Sequence, residues 1–139
     1  MANAFAHIEL STDDLAAAKD FYQKVFAWKI SDIPGMDYTM IDVGKGTGGG
    51  MTKKMMPEQP TGWLPYVEVA DVKVTLSKAE QAGARVVAPY TEIGEMGAIG
   101  VFVDPTGAGI GIWAPAKKSA APRKAAKAKA KAKAKGKRR

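Results

Sequence analysis

Few side chains in this sequence can do chemistry, and they narrow the field at once. Among 139 residues there is one histidine, His7, and no cysteine. Disulfides, thiolate metal sites and thiol nucleophiles are therefore excluded, and a reducing compartment suits such a chain. A Ser-His-Asp triad would have to use His7. A site of several histidines would have to be built between subunits. Glu9 lies two residues after His7, a spacing that a strand places on one face. Imidazole titrates near neutrality, and nearby carboxylates would favour its charged form, so His7 is the candidate general acid or base. Gly48-Gly49-Gly50 is not a phosphate loop: it lacks the Gly-Lys-Ser/Thr ending and does not open a helix. It reads instead as a place where a strand can curve sharply.

The elements that must position these residues follow from periodicity. Phe5 to Leu10 reads as a strand, with Ile8 and Leu10 on one face and His7 and Glu9 on the other. Ser11-Thr12-Asp13-Asp14 supplies helix caps. Leu15, Ala18, Phe21, Tyr22, Val25 and Phe26 recur at spacings of three and four. They predict an amphipathic helix over 15–26 with Phe21, Tyr22, Val25 and Phe26 in the core. Strands are expected at 28–33, 38–43 and 49–54, with Pro34-Gly35 as a turn. Residues 55–62 read as a linker, and Met51, Met55 and Met56 as an adaptable flank beside any cavity.

The same order then recurs. A strand at 64–69 precedes a helix at 72–82, which Gly83 stops. Strands at 85–88, 98–103 and 110–113 follow, with Asp104-Pro105-Thr106-Gly107 as a turn. Set without gaps against Tyr66–Asp71, Glu9–Asp14 brings Leu10 to Val67, Thr12 to Val69 and Asp14 to Asp71 before each helix. This is an internal repeat of strand–helix–strand–strand–strand. The expected fold class is α+β, with modules at about 5–54 and 63–115 inside a domain over 1–115.

These paired βαβββ modules, the opening His7-Ile8-Glu9-Leu10 with Asp14 and Phe21-Tyr22, and the closing Asp104-Pro105-Thr106-Gly107 with Trp113-Ala114-Pro115 resemble the vicinal oxygen chelate superfamily. That group includes glyoxalase I, bleomycin- and fosfomycin-resistance proteins and extradiol dioxygenases. Trp63–Asp71 and Gly48-Gly49-Gly50-Met51 resemble its unassigned glyoxalase-like branch. The resemblance spans residues 5–115 and implies a curved mixed sheet around a cavity. It also implies a divalent metal held by His and Glu from the first and last strands of each module. Carried over residue by residue, only His7 matches. The other positions fall on Leu64, on Gly111 and on the carboxylate-free Gly49–Thr52. One imidazole does not make such a site, which needs three or more protein ligands. No cofactor is therefore expected. An unorthodox His7, Glu9 and Glu68 cluster is the metal-binding alternative.

Repeat parity places Leu64, Tyr66 and Glu68 on the face of His7 and Glu9, and Gly109, Gly111 and Trp113 on one face of the last strand. Tyr38 and Met40 would line the cavity from the third strand. The expected ligand-binding set is His7, Glu9, Tyr38, Tyr66, Glu68 and Trp113, a mainly apolar pocket with a few polar groups. Trp63 is expected in the core or an interface. Two inward carboxylates would favour a cationic or amine-bearing ligand.

Charge divides the chain in two. Residues 1–115 hold 9 Lys and Arg against 14 Asp and Glu, a balance of −5. Residues 116–139 hold 12 basic residues and no acid, a balance of +12. That segment, almost wholly Lys, Arg and Ala, has no large apolar side chain to offset ordering entropy and is expected to be disordered. Its composition resembles the tails of linker histones and bacterial histone-like proteins. Lys124, Lys127, Lys129, Lys131, Lys133, Lys135, Lys137, Arg138 and Arg139 are the candidate contacts to nucleic acid, by counterion release and without base specificity. A solubilising appendage or an anionic-membrane contact is the alternative.

No apolar run approaches a bilayer span, and the first residues lack the pattern of a signal peptide. A cytoplasmic, nucleic-acid-associated homodimer is expected. Its expected function is metal-independent binding of a small molecule whose identity the sequence does not give. A metal-dependent lyase or dioxygenase of glyoxalase type is the alternative.

Overall fold

The computed structural model describes residues 2–55 and 57–116. The first half runs β1 (Phe5–Thr12), α1 (Leu15–Val25), β2 (Lys29–Asp32), β3 (Tyr38–Asp42) and β4 (Gly49–Lys53). The second runs β5 (Gly62–Glu68), α2 (Val72–Gln81), β6 (Arg85–Glu92), β7 (Ala98–Val103) and β8 (Gly109–Ala114), with a 3-10 turn over Gly94–Met96 before β7. All eight strands form one mixed sheet in the order β2-β3-β4-β1-β5-β8-β7-β6. From the centre outward the two halves repeat each other. β1 lies parallel to β4 and β5 parallel to β8, and β1 meets β5 antiparallel at the join. The repeat legible in the sequence is thus the repeat of the α+β fold.

Each helix starts where an aspartate satisfies a free backbone N–H. The Asp14 carboxylate accepts from Ala17 N and that of Asp71 from Val74 N, each at 3.0 Å. α2 seats Val72 and Leu76 against Val69, Ala98, Ile112 and Ala114. Gly100 lets it approach, because a Cβ there would lie 3.0 Å from both Leu76 methyl carbons. In the other half Leu10, Ile41 and Met51 are buried, with Leu15, Ala18, Tyr22, Trp28, Ile30 and Val43 packed around them.

Several expectations need correction. α1 has no buried residue. Phe21 is 55% exposed, Val25 51% and Phe26 45%. Leu15, Ala18 and Tyr22 form the inward stripe, and the remaining apolar residues overflow it onto the surface. There the rings meet one another: Tyr22 stacks on Trp28 at 5.7 Å and meets Phe21 at 4.9 Å and Trp63 at 5.4 Å edge to face, between centroids. Trp63 itself is part-exposed, and its indole N–H donates to Tyr22 Oη at 3.3 Å. Met51 flanks no cavity: it is fully buried on the helix side, and Met55 is exposed to solvent. β6 runs on through Pro89 to Glu92. It is an edge strand, so the missing Pro N–H leaves no ladder bond unmade. No helix among the described residues is long and apolar enough to cross a membrane.

Candidate functional site

The face of the sheet opposite the helices carries a cavity of about 350 Å³. His7, Glu9, Tyr38, Met40, Tyr66 and Trp113 line it from four different strands, and Met36, Ile93, Glu95 and Met96 line it from the loops. The register explains this convergence. On the central pair His7 stands opposite Tyr66, so both side chains leave the same face. Glu9 is level with Gly50 on β4, and Tyr66 with Gly111 on β8.

Those two glycines occupy equivalent places in the two halves, and a tyrosine ring covers each. A Cβ on Gly50 would collide with the Tyr38 hydroxyl and ring, and one on Gly111 would stand 2.5 Å from the Tyr66 ring. The run Gly48–Gly50 therefore serves close approach more than curvature. Gly49 likewise lets β4 meet the backbone of Ile8, where any side chain would collide.

The tyrosine hydroxyls then meet the two chemical groups of β1. His7 Nε2 lies 2.6 Å from Tyr38 Oη, and Tyr66 Oη donates to Glu9 Oε1 at 3.1 Å. Glu9 and Tyr66 are 57 residues apart, the spacing at which the two repeats superpose. Burial lowers the His7 pKa below its ordinary 6.5, against an opposing pull from the Glu9 carboxylate. His7 is thus neutral at pH 7, and its Nε2 can accept the Tyr38 proton. Burial first, and the Glu9 charge second, push both tyrosine hydroxyls far above their usual range. They remain protonated donors. The indole N–H of Trp113 donates to the Met96 carbonyl at 2.6 Å, which fixes that ring against the wall.

Five of the six expected ligand-contacting residues thus line one cavity: His7, Glu9, Tyr38, Tyr66 and Trp113. Glu68 does not. It is level with Trp113 on the neighbouring strand, two residues beyond Tyr66, or roughly 7 Å along the chain. The alternative cluster of His7, Glu9 and Glu68 is therefore not assembled. Among the described residues no three His, Cys, Asp or Glu side chains come together as a metal site. The donors present do not fit a divalent ion: two are protonated phenols, and the imidazole is already engaged by one of them. Leu64 also falls outside the lining, and packs where Gly109 leaves room for it.

Glu95 and Met96 were not legible as cavity residues, because they sit on the short 3-10 turn after β6, where no periodicity reports which way a side chain points. Gly97 closes that turn at φ +106°, and a side chain there would strike the Ala114 carbonyl. A second cavity of about 380 Å³, near the start of α2, is lined by Asp71, Lys73, Tyr90 and Glu92 among others. It holds none of the expected site residues. The tail residues Lys124, Lys127, Lys129, Lys131, Lys133, Lys135, Lys137, Arg138 and Arg139 lie outside the described residues.

Comparison with known proteins agrees with this architecture. The profile of the bleomycin resistance protein-like N-terminal region matches residues 4–44. The protein CFP32 of Mycobacterium tuberculosis, named as a candidate glyoxylase, is 34% identical over 114 residues, covering 76% of this chain and 43% of that protein. The anthracycline biosynthesis protein DnrV of Streptomyces peucetius is 24% identical over 125 residues, covering 78% of this chain and 46% of that protein. The chain thus spans less than half the length of these relatives. Among solved structures, methylmalonyl-CoA epimerase from Mycobacterium tuberculosis superposes with a TM-score of 0.59 at 15% identity, covering 81% of this chain and 88% of that one. A hypothetical protein of Bacillus halodurans gives 0.61 at 11% identity, covering 86% and 99%.

Proposed function

Since this chain belongs to the vicinal oxygen chelate superfamily, we propose that it keeps the cavity of that fold and uses it to bind a small organic molecule without a metal. The observation that carries this reading is the pair of glycines under tyrosine rings. Gly111, the position where the superfamily has a metal-binding carboxylate, gives its space to Tyr66, and Gly50 in the equivalent place gives its space to Tyr38. The result is a mainly apolar, aromatic pocket whose volume lies within the usual range for small-molecule sites, about 300–1,000 Å³. A flat aromatic ligand suits such walls, and the similarity to an anthracycline biosynthesis protein points to the same class.

The second reading, a metal-dependent lyase or dioxygenase, draws on the similarity to a candidate glyoxylase. Elemental analysis of the full chain purified without chelator, paired with a thermal-shift screen of aromatic compounds, separates the two. Metal-free protein whose melting point rises with ligand supports the first, since ligand bound to the native state stabilises by mass action. A stoichiometric divalent ion required for turnover would reverse the order.

We also propose a cytoplasmic homodimer. Phe5, Phe21, Phe26 and Trp63 leave large apolar surfaces exposed, and two copies of the chain would match the length of its relatives. Sedimentation at the mass of one chain would exclude it. The basic segment after Ala116 is assigned to non-specific contact with nucleic acid.

A further inference from the structure

We propose that the cavity selects ligands carrying a protonated or quaternary amine beside their apolar body. This rests on the small-molecule reading above and names the class of molecule for that same site.

The hydroxyl and indole donors on the lining are already spent within the protein, and neutral His7, with Nε2 accepting, keeps a single N–H at Nδ1. Tyr66 Oη gives its proton to Glu9, Tyr38 Oη is held by His7 Nε2, and the Trp113 N–H goes to the Met96 carbonyl. The lining contains no Lys or Arg. What the lining offers a ligand is chiefly acceptors and π-systems: the carboxylates of Glu9 and Glu95 and the rings of Tyr38, Tyr66 and Trp113. An anion entering this space would meet two carboxylates against the single N–H of His7. A neutral hydroxyl would find mainly acceptors. An ammonium group finds a counter-charge, acceptors for its N–H bonds, and ring faces whose quadrupoles attract a cation within about 6 Å.

Three probes with one ring system and different head groups test this on the full-length protein: 2-naphthylmethylamine, 2-naphthalenemethanol and 2-naphthoate, titrated at pH 7 by calorimetry. The amine is expected to bind about tenfold or more tightly than the alcohol, and the carboxylate most weakly. In Glu9→Gln, whose amide can still accept from Tyr66, the ratio of amine to alcohol affinity should fall to within about threefold. Should that variant fail to fold, Glu95→Gln should lower the same ratio by a smaller factor. Alcohol binding as tight as amine binding would overturn the amine preference and leave the binding reading standing. An unchanged ratio in the folded Glu9→Gln variant would overturn it in the same way. Binding of none of the three would defeat both.

Discussion

Gly111 shows how much a single position decides. Its hydrogen is in contact with the Tyr66 ring, and a methyl group there would sit 2.5 Å from two ring carbons. Tyr66 is 4% exposed and cannot yield without opening the join between β5 and β8. Gly111→Ala should therefore cost about 1–3 kcal/mol, the usual range for overpacking, and should weaken ligand binding by displacing the ring that Glu9 anchors. Denaturant melts of the two proteins measure the first effect, and an unchanged midpoint would mean that the ring gives way freely. His7 supplies a second test at this scale. Its folded-state pKa is depressed below 6.5 by burial, so the unfolded chain binds more protons than the native one just below that pH. Stability from this group is fully present above pH 6.5 and is lost as pH falls through the folded value. The carboxylates whose pKa values are lowered, Asp32 and Asp104, add their own loss only below 3.8. The melting temperature of the parent protein should thus begin to fall below pH 6.5, and His7→Gln should lack that first limb. Parallel profiles for both proteins would show that His7 is not held neutral. Much of this was legible from alternation alone. Period two put His7 and Glu9 on one face, and the repeat added Tyr66. What alternation could not show is where a face stops being cavity. Glu68 has the right parity and lies too far along β5, while Glu95 has no parity at all and lies at the rim.

The elements differ in what holds them, although their sequences look alike. Both helices carry an aspartate cap and an apolar stripe. α2 buries Val72 and Leu76 in a continuous core, whereas α1 has no buried residue and rests through the part-exposed Leu15, Ala18 and Tyr22 on the small cluster of Leu10, Ile41 and Met51. Periodicity reports that a stripe exists, not how deep the surface beneath it will be, and so Phe21, Val25 and Phe26 read as core residues and are not. The difference predicts a difference in motion. Local opening is controlled by the apolar contacts an element must break, so amides of α1 should exchange faster than those of α2. Removing the cap by Asp14→Ala should cost about 1 kcal/mol and should speed exchange through α1 most, with little effect on α2. Equal protection of the two helices in the parent protein would count against this picture. The strands were legible for a physical reason as well. Seven of the eight end within about two residues of where alternation and turn residues place them. The exception is β6, where Pro89 reads as a stop and is tolerated because nothing pairs with that edge.

On the scale of the whole molecule, charge separates what one chain joins. The domain is acidic, with a balance of −5 over residues 1–115, and the segment that follows it carries +12. Pro115 and Ala116, the last described residues, line both cavities. The net charge of the domain disfavours a polyanion, and that of the segment favours one. If the segment binds one by releasing condensed counterions, affinity must fall steeply with salt. With 6–10 phosphates engaged, the slope of log K against log salt would be roughly −5 to −9 on duplex DNA. Replacing Lys127, Lys129, Lys131, Lys133 and Lys135 by Gln in the full chain leaves the domain untouched. Each lysine that had met a phosphate should then remove about 0.9 from that slope. Binding should weaken equally on unrelated sequences, because the segment has no aromatic side chain to stack on bases. A slope unchanged by the five replacements, or equal retention of both proteins on DNA at low salt, would remove nucleic acid from the account.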